Sequence, residues 1–260
     1  QLEAGDFVPV AYEMRFENGK IDRVDLCKDK DKVYVKVLDY KTGSKAFDVV
    51  ALYHGLQLQL MVYMDAAVKM TQKHYPDSEV IPAGVFYYRL NDPLVEKKVV
   101  GEEEEIWQKV LKELKVDGVM NLKDETLEHL DHCQVGESAV IPVKYNKNGS
   151  LSKNSKVASE QEFEVMMRHA LGKVLKVHQK ILSGEVAAFP YRRKQESGCD
   201  YCAYRHICGF DQKIPGYKYR DIFEMTQSEV IAAMEADAVK ENVNRDDHEK
   251  EQEKGTGSWE

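Results

Sequence analysis

Long hydrophobic runs are missing from this sequence. No apolar stretch approaches the roughly 20 residues needed to cross a bilayer, and the amino terminus shows no secretory pattern. A membrane partner is therefore not expected, and the reading favours the cytoplasm. Cysteine is scarce, with five in 260 residues, and without a secretory signal a disulfide framework is not expected. Net positive charge is lacking too: the formal charge of −8 argues against holding nucleic acid through the overall field. Internal repeats are absent, and so is an initiating methionine. The chain enters on Gln1 in a strand-like segment, so a piece of a longer protein is expected.

What is present is globular in kind. Hydrophobic residues make up 43% and charged residues 32%, a composition that supports a packed core. Charge is unevenly placed. Glu102 to Glu105 and Asp246 to Glu253 are acidic runs of the solvated sort, whereas Tyr191-Arg192-Arg193-Lys194 and Lys218-Tyr219-Arg220 are locally basic.

Periodicity predicts strands over Phe7 to Phe16, Ile21 to Leu26 and Val33 to Tyr40, with Asn18-Gly19 as the first hairpin turn. From Phe47 to Met70 the period becomes helical, and Pro82 to Leu90 is rich in the aromatic and β-branched residues of a strand. Glu102 to Lys115 predicts a helix with an acidic first turn. Lys144 to Lys156 reads as a polar loop or hairpin, and Ser159 to Ser183 as a long helix stopped by Gly184. Beyond Asp221-Ile222-Phe223 a short helix and a charged, disordered tail are expected.

Chemistry concentrates at the end of the third strand, in V-K-V-L-D-Y-K-T-G. Period-2 alternation sets Asp39 and Lys41 on one face and Tyr40 on the other. If the second and third strands pair as a hairpin, Asp22 of G-K-I-D-R-V-D comes to the same sheet edge as Asp39. Two converging carboxylates suit Mg²⁺, which takes hard oxygen ligands and keeps several waters. Lys41 beside them would orient the attacking water or neutralise charge on a phosphate. The alternative is that both aspartates are turn residues and Lys41 is solvated. Spacing alone leaves the two readings open.

The series G-K-I-D-R-V-D, V-L-D-Y-K-T-G and G-L-Q-L-Q-L-M-V-Y resembles the motifs of PD-(D/E)xK nucleases of the RecB type. The resemblance implies an α/β fold: a restriction-endonuclease-like core with a mixed central sheet flanked by helices. It implies Mg²⁺ or Mn²⁺ held by Asp22, Asp39 and the backbone carbonyl of Tyr40. Catalytic roles fall to Asp22, Asp39 and Lys41, and to Gln59 and Tyr63 of the Q-x-x-x-Y motif. On a helix the last two share a face, with Gly55 expected four residues earlier on that face. The family's upstream histidine ligand has no counterpart, since the first histidine here is His54.

Cys199, Cys202 and Cys208 form C-x₂-C-x₅-C, one knuckle plus a third cysteine, which needs a ligand from elsewhere to complete a metal site. Tyr201, Tyr204 and Phe210 are expected to shield it. The arrangement resembles the iron–sulfur staple of AddB-type subunits of bacterial helicase–nucleases. That implies a [4Fe–4S] cluster whose fourth cysteine lies upstream, Cys27 and Cys133 being at the wrong positions. The resemblance further implies DNA ends and single strands as substrates, an AddA-like helicase–nuclease partner, and resection of the strand ending 5′. A nuclease domain is expected over 1–223 and a tail over 224–260. The alternative is a DNA-binding or docking module whose staple orders a basic surface around Arg192, Arg193, Lys194 and Arg205.

Overall fold

The computed structural model describes residues 6–16, 19–43, 45–90, 103–133 and 135–240. The turn expected at Asn18, the start of the acidic run at Glu102 and the tail with Asp246 to Glu253 lie outside those residues.

The chain begins with β1 (Val8–Phe16), β2 (Gly19–Asp29), β3 (Lys32–Lys41), α1 (Val49–Tyr53), α2 (Gln59–His74) and β4 (Glu79–Arg89). It continues through α3 (Glu103–Glu113), β5 (Asp117–Asn121), α4 (Asp124–Leu130), β6 (Gly136–Glu137), β7 (Lys144–Tyr145), β8 (Val157–Ala158) and α5 (Glu160–Leu182). It closes with β9 (Tyr191–Arg193), β10 (Glu196–Ser197), α6 (Arg205–Cys208), β11 (Arg220–Asp221) and α7, over 227–240. Two compact units divide it. One comprises Gln1–Asp48 with Gln57–Ala170, the other Val49–Leu56 with Leu171–Glu260.

The first unit is built on a six-stranded sheet of order β1-β2-β3-β4-β5-β8. β1, β2 and β3 form the expected antiparallel meander, β3 runs parallel to β4, β5 is antiparallel to β4, and β8 is parallel to β5. The sheet is therefore mixed, as expected. β3 lies inside it and is buried on both faces, which is why V-Y-V-K-V-L reads as nearly continuous apolar sequence. α2 packs over β3 and β4 and buries Leu60, Met61, Met64 and Ala67 completely. A separate core gathers Phe7, Tyr34, Leu38, Ile81, Phe86 and Met120 with Leu127 and Leu130 of α4. Each such side chain contributes about 1.5–3 kcal/mol on burial.

Three features depart from the expected elements. The helical segment over Phe47 to Met70 is two helices. After α1, Gly55 takes φ +82°, its N–H donates to the Leu52 carbonyl at 2.9 Å, and the Leu56 N–H donates to Ala51 at 2.8 Å. That pairing is a Schellman stop. Gly55 is thus a helix terminator and does not share the helical face of Gln59. The same motif ends α5 at Gly184, as its sequence signals. β5 is an inner strand that periodicity missed, because D-G-V-M-N is short and begins with two turn-forming residues. α4 was missed for the same reason of length.

In the second unit, β9 lies between β10 and β11, and Lys173 of α5 sits 5.4 Å over the Tyr53 ring. The basic run is partly offset by two carboxylates. Arg192 grips Asp221 with two hydrogen bonds of 2.7 and 3.2 Å. Arg193 grips Glu224 at 3.1 and 2.9 Å, and Lys194 joins the same carboxylate at 3.0 Å. These cations hold the Glu224 carboxyl down at about 2. Of the basic surface expected around Arg192, Arg193, Lys194 and Arg205, the first three cations are ion-paired with two carboxylates.

Gly118 has a steric requirement of its own. A Cβ there would stand 1.9 Å from the Val85 carbonyl oxygen and 2.9 Å from the Phe86 Cα, whereas one at Gly43 would meet nothing. Gly118→Ala is expected to destabilise the fold by about 2 kcal/mol or more through strand displacement. Gly43→Ala should stay within about 0.5 kcal/mol. Thermal melts of the two variants beside the parent chain check this; equal midpoints would show that β5 does not pack against β4 as described.

Candidate active site

The register of the β2–β3 hairpin pairs Arg23 with Leu38, so the next residues outward are Asp22 and Asp39. Directly opposed residues of an antiparallel pair hold their Cβ atoms roughly 5 Å apart. The structure ties the two strands at this point: Asp22 Oδ2 accepts the Tyr40 backbone N–H at 3.0 Å. The other aspartate of G-K-I-D-R-V-D is engaged elsewhere. Asp25 is fully buried and paired with Arg23 at 2.6 Å and Lys36 at 2.9 Å.

Asp39 and Lys41 continue the row of Val33, Val35 and Val37, beyond the part of β3 buried under α2. Gln59 is the first residue of that helix, and the row runs into it. Lys41 Nζ forms an ion pair with Asp39 Oδ2 and donates to Gln59 Oε1 at 3.1 Å. Gln59 Nε2 then donates to Tyr63 Oη at 2.8 Å. The five side chains expected to act together are joined through hydrogen bonds, ion pairing and charge. Tyr40, the sixth expected residue, reaches the site through its backbone and turns its ring to Tyr88, 5.7 Å away and edge-on.

The electrostatics of Asp39 are unusual for a carboxylate. Only 1% of the residue is exposed. Burial pushes its carboxyl upward, Lys41 opposes that, the Asp22 charge adds to it, and Lys45 opposes it. Oδ2 meets the Lys41 ammonium as its one charged partner among the described residues. A buried carboxylate offset by a single ammonium and facing a second carboxylate is a donor set for a hard divalent cation. Among the described residues no three His, Cys, Asp or Glu side chains gather as a metal site. A two-carboxylate set matches Mg²⁺, which retains water in its remaining positions.

Three neighbours were not foreseen. Asp39 pairs with Tyr87 of β4, and Tyr87 with Asp117 of β5, so one row crosses three strands. The Tyr87 hydroxyl is buried without a partner among the described residues. Burial, then Asp39, then Asp117 push it up to about 12. Lys41 and Lys45 each place Nζ 5.5 Å from the Tyr87 ring centroid. Asp117 accepts the Phe47 N–H at 2.6 Å and pairs with Lys156, so it holds the loop that follows Lys41. The aromatic run of β4 and the acid opening β5 were visible in the sequence, but the parallel register that aligns them was not.

The cysteines are arranged differently from expectation. Cys199 and Cys202 are half-buried and Cys208 is exposed, all three as free thiols. Tyr201 is 102% and Tyr204 68% exposed, so neither shields them; both sit on tight turns that project side chains outward. Phe210 instead packs against Tyr217 and Tyr219 at 5.5 and 4.9 Å, and a hydrogen bond with Cys199 pushes the Tyr219 phenol upward. Three thiols do not fill the four cysteine positions of a [4Fe–4S] cluster.

Comparison with known proteins bears on this geometry. Residues 1–209 match the family described as the PD-(D/E)XK nuclease superfamily. The chain belongs to that superfamily. It is also 39% identical over 247 residues to an ATP-dependent helicase/deoxyribonuclease subunit from Lachnoclostridium phytofermentans, covering 88% of this chain and 21% of that protein. The protein of the same description from Alkaliphilus oremlandii is 35% identical over 246 residues, covering 92% and 21%. That from Thermoanaerobacter sp. is 32% identical over 212 residues, covering 82% and 18%. The chain thus spans about a fifth of the length of these curated relatives. No described helix of this PD-(D/E)XK nuclease chain is long and apolar enough to cross a membrane.

Whether the two aspartates hold Mg²⁺ is measurable without any substrate. Adding Mg²⁺ should raise the melting temperature of the chain, with stabilisation growing by about 1.4 kcal/mol per tenfold increase above the dissociation constant. The double variant Asp22→Asn, Asp39→Asn should lose that increment. An equal Mg²⁺ shift in both proteins would place the cation elsewhere.

Proposed function

We propose that this chain is the metal-dependent deoxyribonuclease domain of a helicase–nuclease complex that resects DNA double-strand ends for recombinational repair in the bacterial cytoplasm. The observation that carries the reading is the connected set Asp22, Tyr40 N–H, Asp39, Lys41, Gln59 and Tyr63 at the end of β3. Support for the complex comes from the relatives, which are described as helicase/deoxyribonuclease subunits. On this reading the nuclease domain covers 1–223, its partner is an AddA-like helicase–nuclease subunit, and the strand cut is the one ending 5′.

Asp22, Asp39 and the Tyr40 carbonyl would hold Mg²⁺ or Mn²⁺. When bound, such an ion polarises phosphoryl oxygen and lowers the pKa of water. Lys41 does the rest of the charge work. Its ammonium lies between a carboxylate and an amide oxygen, and those two acceptors direct it. From there it orients water toward the phosphorus and meets the negative charge that builds as the new P–O bond forms and the old one breaks. Fixed charges of this kind act where charge develops and need no reorganisation. Gln59 fixes Lys41, and Tyr63 fixes which end of the Gln59 amide faces the lysine. The water loses one proton to solvent and the leaving alkoxide gains one, so the step balances as hydrolysis.

A cysteine staple belongs to the same reading. Cys199, Cys202 and Cys208 would be three of four ligands to a [4Fe–4S] cluster in the longer protein. The C-x₂-C-x₅-C spacing supports this. Iron and a visible absorbance band should accompany the full-length protein and diminish in Cys202→Ala; an iron-free, colourless full-length protein purified without oxygen removes the staple.

The nuclease reading is tested by cleavage of linear DNA with Mg²⁺, using the full-length protein with its partner. Asp39→Ala and Lys41→Ala should each reduce the rate by about 100-fold or more, the scale for losing one group that stabilises developing charge. Gln59→Ala, acting through Lys41, should cost less. Undiminished cutting by both Asp39→Ala and Lys41→Ala would remove the catalytic assignment.

A further inference from the structure

The row that begins at Asp39 does not stop at the active site. Asp117, two strands away and thus about 10 Å across the sheet, also lines a cleft of about 390 Å³. A second cleft of about 600 Å³ adjoins it and shares Lys112, Lys115 and Glu137. Among the described residues the two adjoining clefts are lined by Lys109, Lys112, Lys115, Lys144 and Lys156 with two carboxylates, Asp117 and Glu137. Lys156 is paired to Asp117, and Lys115 to Glu137 at 3.1 Å. Lys109, Lys112 and Lys144 are solvent-facing. Their field is felt in the groove: Lys115, then Lys112 and Lys144, hold the Glu137 carboxyl below its ordinary range.

This local excess of cations stands out in a chain whose net charge is −8. Arg192, Arg193 and Lys194, by comparison, are each paired, sharing the two carboxylates Asp221 and Glu224. A second feature accompanies the lysines. Trp107 is 56% exposed on α3, four residues before Leu111 of the groove wall, so the two share one side of the helix. A lysine-lined track with an exposed aromatic is the chemistry that holds a single strand, phosphates against the cations and a base on the ring. Clefts of this volume fit a small-molecule-sized segment of strand.

We propose that the groove formed by α3, β6, β7 and the segment before β8 is a single-stranded DNA track, with Lys109, Lys112 and Lys144 contacting phosphates and Trp107 stacking a base. It leads the strand past Asp117 to Asp39 and Lys41. The proposal rests on the nuclease reading and extends it by naming where the substrate strand runs, and its test does not depend on cleavage.

Binding of a fluorescent single-stranded oligonucleotide of about 16 nucleotides, a length at the upper end of single-strand site sizes, is measured in EDTA across a salt series. The triple variant Lys109→Gln, Lys112→Gln, Lys144→Gln should bind at least about tenfold more weakly at low salt. Its plot of log affinity against log salt should flatten by about 2, from about 0.7 per lost phosphate contact. The matching triple Lys→Arg variant should restore both, which separates lost charge from lost folding. Trp107→Ala should weaken binding about tenfold with an unchanged salt slope, the effect of one lost stack. Unchanged affinity and slope in the triple glutamine variant overturns the track, as does a parent chain that binds no single strand. In parallel, the parent chain is given Mg²⁺ and a small phosphodiester too short to reach the groove. Groove-dependent binding without hydrolysis there would leave the track standing and count against the nuclease reading. Hydrolysis with groove-independent binding would do the reverse.

Discussion

Two aspartates brought together at the edge of a hairpin set the terms for the rest of this structure. Like charges at that separation repel, and one of the pair is buried to 1% exposure, where desolvation disfavours its charged form. The arrangement persists because the surrounding elements over-determine it. The β2–β3 register forces the approach, the Tyr40 N–H anchors Asp22, and the Lys41 ammonium offsets Asp39. Local disfavour held in place by a rigid scaffold is the usual physical mark of a functional site.

Rigidity comes from where the site lies in the sheet. β3 is an inner strand, buried on both faces, so Asp39 cannot move without displacing Val35, Val37 and the helix packed over them. α2 starts at Gln59, which is the residue Lys41 bonds. On the far side Asp117 pins the loop after Lys41 through the Phe47 N–H, and Gly118 beside it lets β5 approach β4 closely. Each of these positions supports the geometry at Asp39 without touching a reacting atom.

The strands that carry the site were largely legible in advance. β1 to β4 alternate or run apolar over six or more residues, long enough for a period to show. Period 2 and period 3.6 set Asp39 with Lys41 and Gln59 with Tyr63 on shared faces. Spacing left their roles open, and it was the resemblance of the motif series that singled them out. β5 and α4 were not legible, at five and seven residues, because so short a stretch shows no period. The cysteine segment was legible only as a spacing: its turns throw Tyr201 and Tyr204 outward and leave shielding to Phe210, Tyr217 and Tyr219. The pairing of the basic run was not legible, because its acidic partners, Asp221 and Glu224, lie about 30 residues away.

Residue order alone thus settles which strands and helices form and which side chains share a face, because those follow from backbone periods acting over neighbouring residues. It also places Asp22 near Asp39, since a hairpin fixes its own register over a short loop. Only the folded sheet decides that Tyr87 and Asp117 extend that row, that Lys45 joins it, and that the lysines from α3 to β8 line one groove. Those meetings depend on parallel pairing and on strands inserted from far along the chain, and a crossover connection leaves no local trace of the register it will adopt.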